Sequence, residues 1–388
     1  RQPASSGVRR ARMAKVENIK LNGLPAVKLT HPSGATATVY TYAAHVASWT
    51  SSDGKENLYV SSKTAYGGGK AIRGGVPICW PQFAEMGSFQ KHGFCRNSAE
   101  WTVVRTSTEP YPCVVLGLSD SAETRKAWPF AFKLRYSITL DSDASLSMSL
   151  AVMNSGDQPI EFTTALHTYF AAAAAGSVTM KGLEGVPYDD KVKGTQGNVQ
   201  EGASVAIGGE VDRVYYSTPR SLYVCEGDRA IKVLKMGFPD AVVWNIGESR
   251  ASSLSDLGPG EWSKYVCLEA AAIGKPVVVP PSSSWNAGQT FTVMPAAAAE
   301  AEAAAAAEAN AKANAEAAKA AGVPTPPPAA PKPTAEKPAV AASGGEAKPK
   351  DGDAAKAKAD KKAEKEAKFA AKQAKAAGGA PPAPAPAP

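Results

Sequence analysis

Every tryptophan and tyrosine of this chain lies before Pro295, and beyond that residue the one aromatic is Phe369. A packed interior needs large side chains, so the part of the chain able to build a core ends near residue 295. The 388 residues could hold two or three average domains, yet this boundary leaves one of roughly 280 residues, over 16–295. Residues 1–15 carry Arg1, Arg9, Arg10 and Arg12 with no acid before Glu17 and no initiating methionine. They read as the remnant of an organellar transit peptide, with a plain basic tail as the simpler account. The expected location is the chloroplast, with the cytoplasm as the alternative. After Pro295, 296–321 is mostly alanine with Glu, Lys and Asn: high helix propensity without an apolar stripe to dock. A proline-rich stretch, a lysine-rich stretch and alternating Pro and Ala complete 296–388, expected to be a low-complexity tail, partly helical or disordered. Its lysines offer contact with an acidic partner as a sharper alternative to mere solubility.

Within 16–295 the apolar residues fall in short runs of period two. Ala35–Tyr42, Phe132–Leu140, Leu146–Met153 and Ala241–Trp244 are examples, separated by turns such as Asn22-Gly23, Pro32-Ser33-Gly34 and Asp53-Gly54. Hardly any helical period interrupts them. The fold class expected is all-β, a large antiparallel sandwich. The formal charge of +7 is spread along the chain and concentrated at its ends, so nucleic acid is not an expected partner of the domain. The five cysteines show no paired spacing and read as reduced core residues. No apolar run reaches the ~18 residues of a membrane helix. A monomer is expected.

One stretch resists both strand and helix. Arg73-Gly-Gly-Val-Pro-Ile-Cys-Trp-Pro-Gln-Phe83 and Lys91-His92-Gly-Phe-Cys-Arg96-Asn97 gather cations and a histidine among glycines, prolines and aromatics. Arginine forks suit phosphate or carboxylate, and histidine moves protons near neutral pH. A binding site is one reading. A loop-rich corner whose arginines pair with carboxylates elsewhere is the other. Further on, Glu161–Phe170 reads as a strand whose alternation sets Thr163, Ala165, His167 and Tyr169 on one face and Phe162, Leu166 and Phe170 on the other. In Lys264–Ala272, Glu269 shares a face with Tyr265 and Cys267, opposite Val266, Leu268 and Ala270. A carboxylate in so apolar a strand either pairs with a cation or serves a purpose, because burying it alone costs several kcal/mol.

These segments carry a resemblance. The two pieces of the 73–97 stretch, Leu166-His167-Thr168-Tyr169, Glu210-Val211-Asp212-Arg213-Val214-Tyr215, Phe238-Pro239-Asp240 through Trp244-Asn245, and Tyr265 through Glu269-Ala-Ala occur in the order seen in the glucose-6-phosphate 1-epimerases. That group is the hexose-6-phosphate mutarotase branch of the aldose 1-epimerase family. The resemblance spans about 16–295 and implies a large β-sandwich with its site on a concave sheet face. It implies Glu269 as general base and His167 as general acid, with His92 bonding the sugar near the ring oxygen. Asp212, and more weakly Asp240, would grip sugar hydroxyls. Arg73 and Arg96 would hold a 6-phosphate, and Lys91, standing where relatives usually have glutamine, adds a third cation or points outward. Such chemistry needs one base and one acid and no metal or cofactor, and the sequence shows no dinucleotide loop, P-loop or Cys/His ligand cluster. A sandwich that binds a phosphosugar without turning it over is the alternative.

Overall fold

The computed structural model describes residues 13–320. The start of the basic N-terminal segment and the proline- and lysine-rich part of the tail therefore lie outside the described residues. The turn residues work as their chemistry requires: Asn22 and Gly23, both at positive φ, close a two-residue hairpin between the strands Lys15–Leu21 and Leu24–Thr30. These two strands, with Thr36–Tyr40 and His45–Thr50, form a four-stranded antiparallel sheet in simple sequence order.

Two larger sheets carry the rest. A nine-stranded sheet runs, by sequence position, 204–206, 178–181, 221–226, 229–236, 284–295, 145–154, 132–139, 113–119, 102–107. An eight-stranded sheet runs 195–199, 187–190, 211–215, 240–245, 265–279, 160–166, 78–79, with 169–171 also paired to 265–279. Every pairing between these strands is antiparallel. The inner faces meet in one buried core. From the eight-stranded sheet come Phe162, Leu166, Phe170, Val243, Leu268 and Ala270, and facing them are Leu134, Tyr136, Leu150, Val233 and Phe291. The ring centroids of Phe170 and Phe291 lie 4.9 Å apart across the interface. This is the sandwich that the alternation predicts, and the residues assigned inward by alternation are inward.

Two expectations need correction. The stretch Glu161–Phe170 is not one continuous strand: hydrogen bonding stops after Ile160–Leu166 and resumes at Tyr169–Ala171. The Thr168 amide turns back onto the carbonyl of Leu166 (2.9 Å), while the Cα register on both sides of the break is the same. His167 therefore keeps its face and stands across from Glu269. The helix Ala296–Ala320 follows Pro295 directly, and it is not wholly solvated. Ala299 and Ala303 are buried against Tyr223, Cys225 and Ala230 on the outer face of the nine-stranded sheet. Glu302 accepts from Tyr223 Oη (2.9 Å) and Lys232 Nζ (2.6 Å). Methyl groups a turn apart dock there without the large apolar stripe that sequence reasoning seeks. Among the described residues no helix is long and apolar enough to cross a membrane. All five cysteines are free thiols, four of them buried.

Candidate active site

The outer face of the eight-stranded sheet is built by register. Glu269 stands opposite Val242, and Cys267 lies between Trp244 on one neighbour and Tyr169 on the other. Trp244 in turn faces Asp212. Cross-strand partners project to the same side, so Tyr169, Cys267, Trp244 and Asp212 form a row beside Glu269. The edge of this surface is the 73–79 segment, whose Gly75 and Pro77 carbonyls accept from the Tyr169 and His167 amides (2.9 Å each). Gly75 has φ +58°, and a Cβ there would collide with the carbonyl of Val46 and the ring of His45. The glycine thus serves both a positive φ and the close approach of protein backbone.

At the centre, His167 Nδ1 approaches Glu269 Oε1 to 3.3 Å without the alignment of a hydrogen bond, and Oε2 of Glu269 is buried with no partner. Glu269 is 1% exposed. Burial, reinforced by Asp212, pushes its pKa well above the usual carboxylate range, against a smaller opposing pull from Arg96. Burial first, then His92 and the charges of Arg96 and Arg73, hold His167 well below the ordinary imidazole value. The two shifts run in the same sense, each favouring the uncharged form of its group. A neutral carboxyl with a neutral imidazole differs from the ion pair only in the position of one proton.

The ring of Tyr169 lies flat against His167, centroids 4.9 Å apart and planes at 8°. Trp244 meets His167 edge-on at 5.7 Å. His92 meets it at 5.4 Å, also edge-on. Ala84 N–H donates to His92 Nδ1 (3.1 Å), so the neutral ring carries its proton on Nε2. Burial, then Arg96, Lys91 and Arg73, keep it neutral. His92 and Gly93 are both at positive φ, and a Cβ on Gly93 would strike the carbonyl of Trp80. Gln82 braces the loop that delivers His92: its amide donates to the carbonyls of Ala84 (3.0 Å) and Phe89 (3.1 Å) and accepts from Phe89 N–H (3.1 Å).

The cations lie around this centre. Arg73 donates from Nη1 to Tyr169 Oη (2.9 Å), and its Nε and Nη2 face the carboxylate of Asp256 at 3.1–3.2 Å. Arg96 donates from Nη2 to the Lys91 carbonyl (2.9 Å), with its Nε buried and unpartnered. Lys91 is exposed, and its charge bears on both His92 and Asp212. Burial raises the pKa of Asp212 while Lys91 and Lys191 oppose the rise. Asp240 is held by backbone amides on both oxygens. Its Oδ1 accepts from Ser217 N–H (3.0 Å) and its Oδ2 from Ile273 and Gly274 N–H (2.9 and 2.7 Å), which leaves it a backbone anchor. Tyr169, Trp244, Gln82 and Asp256 were not singled out from sequence. Alternation does place Tyr169 and His167 on one face, and Tyr169, Trp244 and Gln82 lie in segments that carry the family resemblance, whereas Asp256 had no signal.

The sequence profile of the aldose 1-epimerase family matches residues 25–292. The chain belongs to the aldose 1-epimerase family. Among its curated relatives, a protein of Cenchrus ciliaris provisionally named glucose-6-phosphate 1-epimerase is 33% identical over 289 residues, 71% of this chain and 87% of that one. One of Escherichia coli K12 with the same provisional name is 31% identical over 259 residues, covering 65% and 84%. The crystal structure of a provisionally assigned mutarotase from Salmonella typhimurium superposes with a TM-score of 0.66 at 26% identity, covering 72% of this chain and 94% of that one. Within this aldose 1-epimerase domain, the outer-face cluster draws on the eight-stranded sheet and the loops beside it, while the inner face is committed to the core.

Proposed function

We propose that the protein interconverts the α and β anomers of a hexose 6-phosphate, glucose 6-phosphate being the sugar named for its relatives. The observation that carries this reading is the free Oε2 of Glu269 beside His167, on which the charges of Arg96 and Arg73 bear. Ring opening moves a proton from the anomeric hydroxyl to the ring oxygen, and the arrangement accounts for both ends of that transfer. His167 gives its Nε2 proton to the ring oxygen as the C1–O5 bond breaks. Its Nδ1 regains a proton from the Glu269 carboxyl 3.3 Å away. The carboxylate so formed takes the proton of the anomeric hydroxyl as the C1 carbonyl forms. Both groups are then uncharged again, with the imidazole proton on Nδ1 in place of Nε2; the open aldehyde turns about C1–C2 and closes on its other face by the reverse steps, which return that proton to Nε2. Each positioned partner contributes on the order of 10²–10⁴-fold.

His92, a donor through Nε2, is set to bond the sugar near its ring oxygen, and Asp212, without a side-chain partner, to accept from ring hydroxyls. The guanidinium forks and the lysine suit a phosphate dianion. A module that merely bound the sugar would gain nothing from a carboxyl buried without a partner, which destabilises the fold. Freshly dissolved α-glucose 6-phosphate, followed by NMR with and without the protein, tests the proposal. Anomer exchange faster than in buffer, and faster than for unphosphorylated glucose, is expected. Equal rates with and without protein would rule it out.

A further inference from the structure

The edge of Arg73 that a phosphate would use is already taken. Its Nε lies 3.2 Å from both oxygens of Asp256 and its Nη2 3.1 Å from Oδ2, while Nη1 holds the Tyr169 hydroxyl. This is the side-on fork geometry by which a guanidinium grips any planar or tetrahedral oxyanion. Nor is Asp256 a loose surface side chain. The next residue, Leu257, is buried. Gly258 N–H donates to Ser61 Oγ (3.2 Å) and Glu261 Oε2 (3.0 Å). Glu261 in turn ties the turn to Tyr59, Ser61 and Ser62, and Ser61 N–H donates to the Arg73 carbonyl (2.9 Å). The segment that presents Asp256 and the segment that presents Arg73 are therefore fastened to each other beside the pair.

We propose that Asp256 is a specificity-determining residue: an internal counter-ion that occupies the Nε/Nη2 edge of Arg73 until a phosphate dianion displaces it. The inference rests on the reading of the site as a hexose 6-phosphate seat. A sugar with a neutral hydroxymethyl group brings no charge to exchange for the carboxylate. A 6-phosphate brings two, and it also meets Arg96, whose buried Nε lacks a partner. Discrimination then arises from the competitor the protein supplies as well as from the attraction of its cations.

Three proteins test this: the full chain, Asp256→Asn and Asp256→Glu. Inorganic phosphate is titrated calorimetrically, and KM and kcat are measured for glucose 6-phosphate. With the competitor removed, Asp256→Asn is expected to bind phosphate about five- to tenfold more tightly and to lower KM by a similar factor, with kcat within about twofold. Asp256→Glu, which restores the charge, is expected to return both values toward those of the parent. Weaker or unchanged phosphate binding in Asp256→Asn would overturn the proposal, because the carboxylate would then orient Arg73 or be idle. A fall in kcat at constant KM would overturn it equally. If phosphate binding tightens as expected while no variant, and not the parent, accelerates anomer exchange, the competition stands and the catalytic reading fails.

Discussion

Two buried glutamates stand close together in the chain and could hardly be treated more differently. Glu261, on the loop before the Tyr265–Val279 strand, turns Oε2 into a cradle of Tyr59 Oη (2.7 Å), Ser61 Oγ (3.0 Å), Ser62 N–H (3.1 Å) and Gly258 N–H (3.0 Å). Burial alone would raise its pKa, but these hydrogen bonds outweigh it and bring the value from 4.5 to about 2. Glu269, within the strand, has one misaligned neighbour and a bare oxygen, and its pKa moves the opposite way. A satisfied carboxylate holds structure together. An unsatisfied one stays ready to trade a proton, and the apolar core on the far side of its strand supplies the stability that permits this.

The contrast is open to attack, first through the rate. Glu269→Gln should lower anomer exchange about 10²–10⁴-fold while the fold remains at least as stable, since an unpaired acid has been replaced by an amide. Glu261→Gln should do the reverse and leave the exchange rate within a few-fold. Exchanged outcomes, read by NMR exchange and chemical denaturation, would break the comparison.

Next in size is the acid limb of stability. A group whose pKa is depressed on folding stabilises above its unfolded value and loses that contribution as the pH falls. For Glu261 the window is from 4.5 to about 2, and the difference is worth about 3 kcal/mol. Denaturant midpoints measured across that range should fall steeply for the parent and less so for Glu261→Gln; parallel curves would remove the assigned role.

Smaller again is Tyr169→Phe, which keeps the ring against His167 but removes the hydroxyl that Arg73 holds. A loss of about 10- to 100-fold in kcat/KM is expected, the worth of one hydrogen bond to a charged group, whereas Tyr169→Ala should lose more because the stack goes too. Equal losses would mean that the ring does not position the imidazole. Smallest is Glu302→Gln on the docked helix. It breaks exposed contacts worth about 0.5 kcal/mol and should leave the exchange rate unchanged.

What could be read from sequence was local. Period-two alternation fixed which side of the Tyr265–Val279 strand Glu269 takes and which side His167 takes, since that depends on covalent geometry alone. It sufficed to foresee the sandwich, whereas the pairing of Glu269 with His167 came from the family resemblance. The partners that decide each group's state came from afar. Arg73 meets Asp256 across nearly half the chain, and Asp240 finds its donors in Ile273 and Gly274 only once two strands have aligned. The sequence reading had allowed that the arginines pair with carboxylates elsewhere, and Arg73 does pair with Asp256. The docking of Ala299 and Ala303 was invisible for another reason, because alanine counts equally as helix former and as surface filler.

The docked helix has a practical consequence. It lies on the outer face of the nine-stranded sheet, while the cluster around Glu269 and His167 lies on the outer face of the other sheet. Handles, dyes or surface tethers joined to the first turns of that helix would leave the proposed site's face clear, so immobilised enzyme should turn over as the free enzyme does.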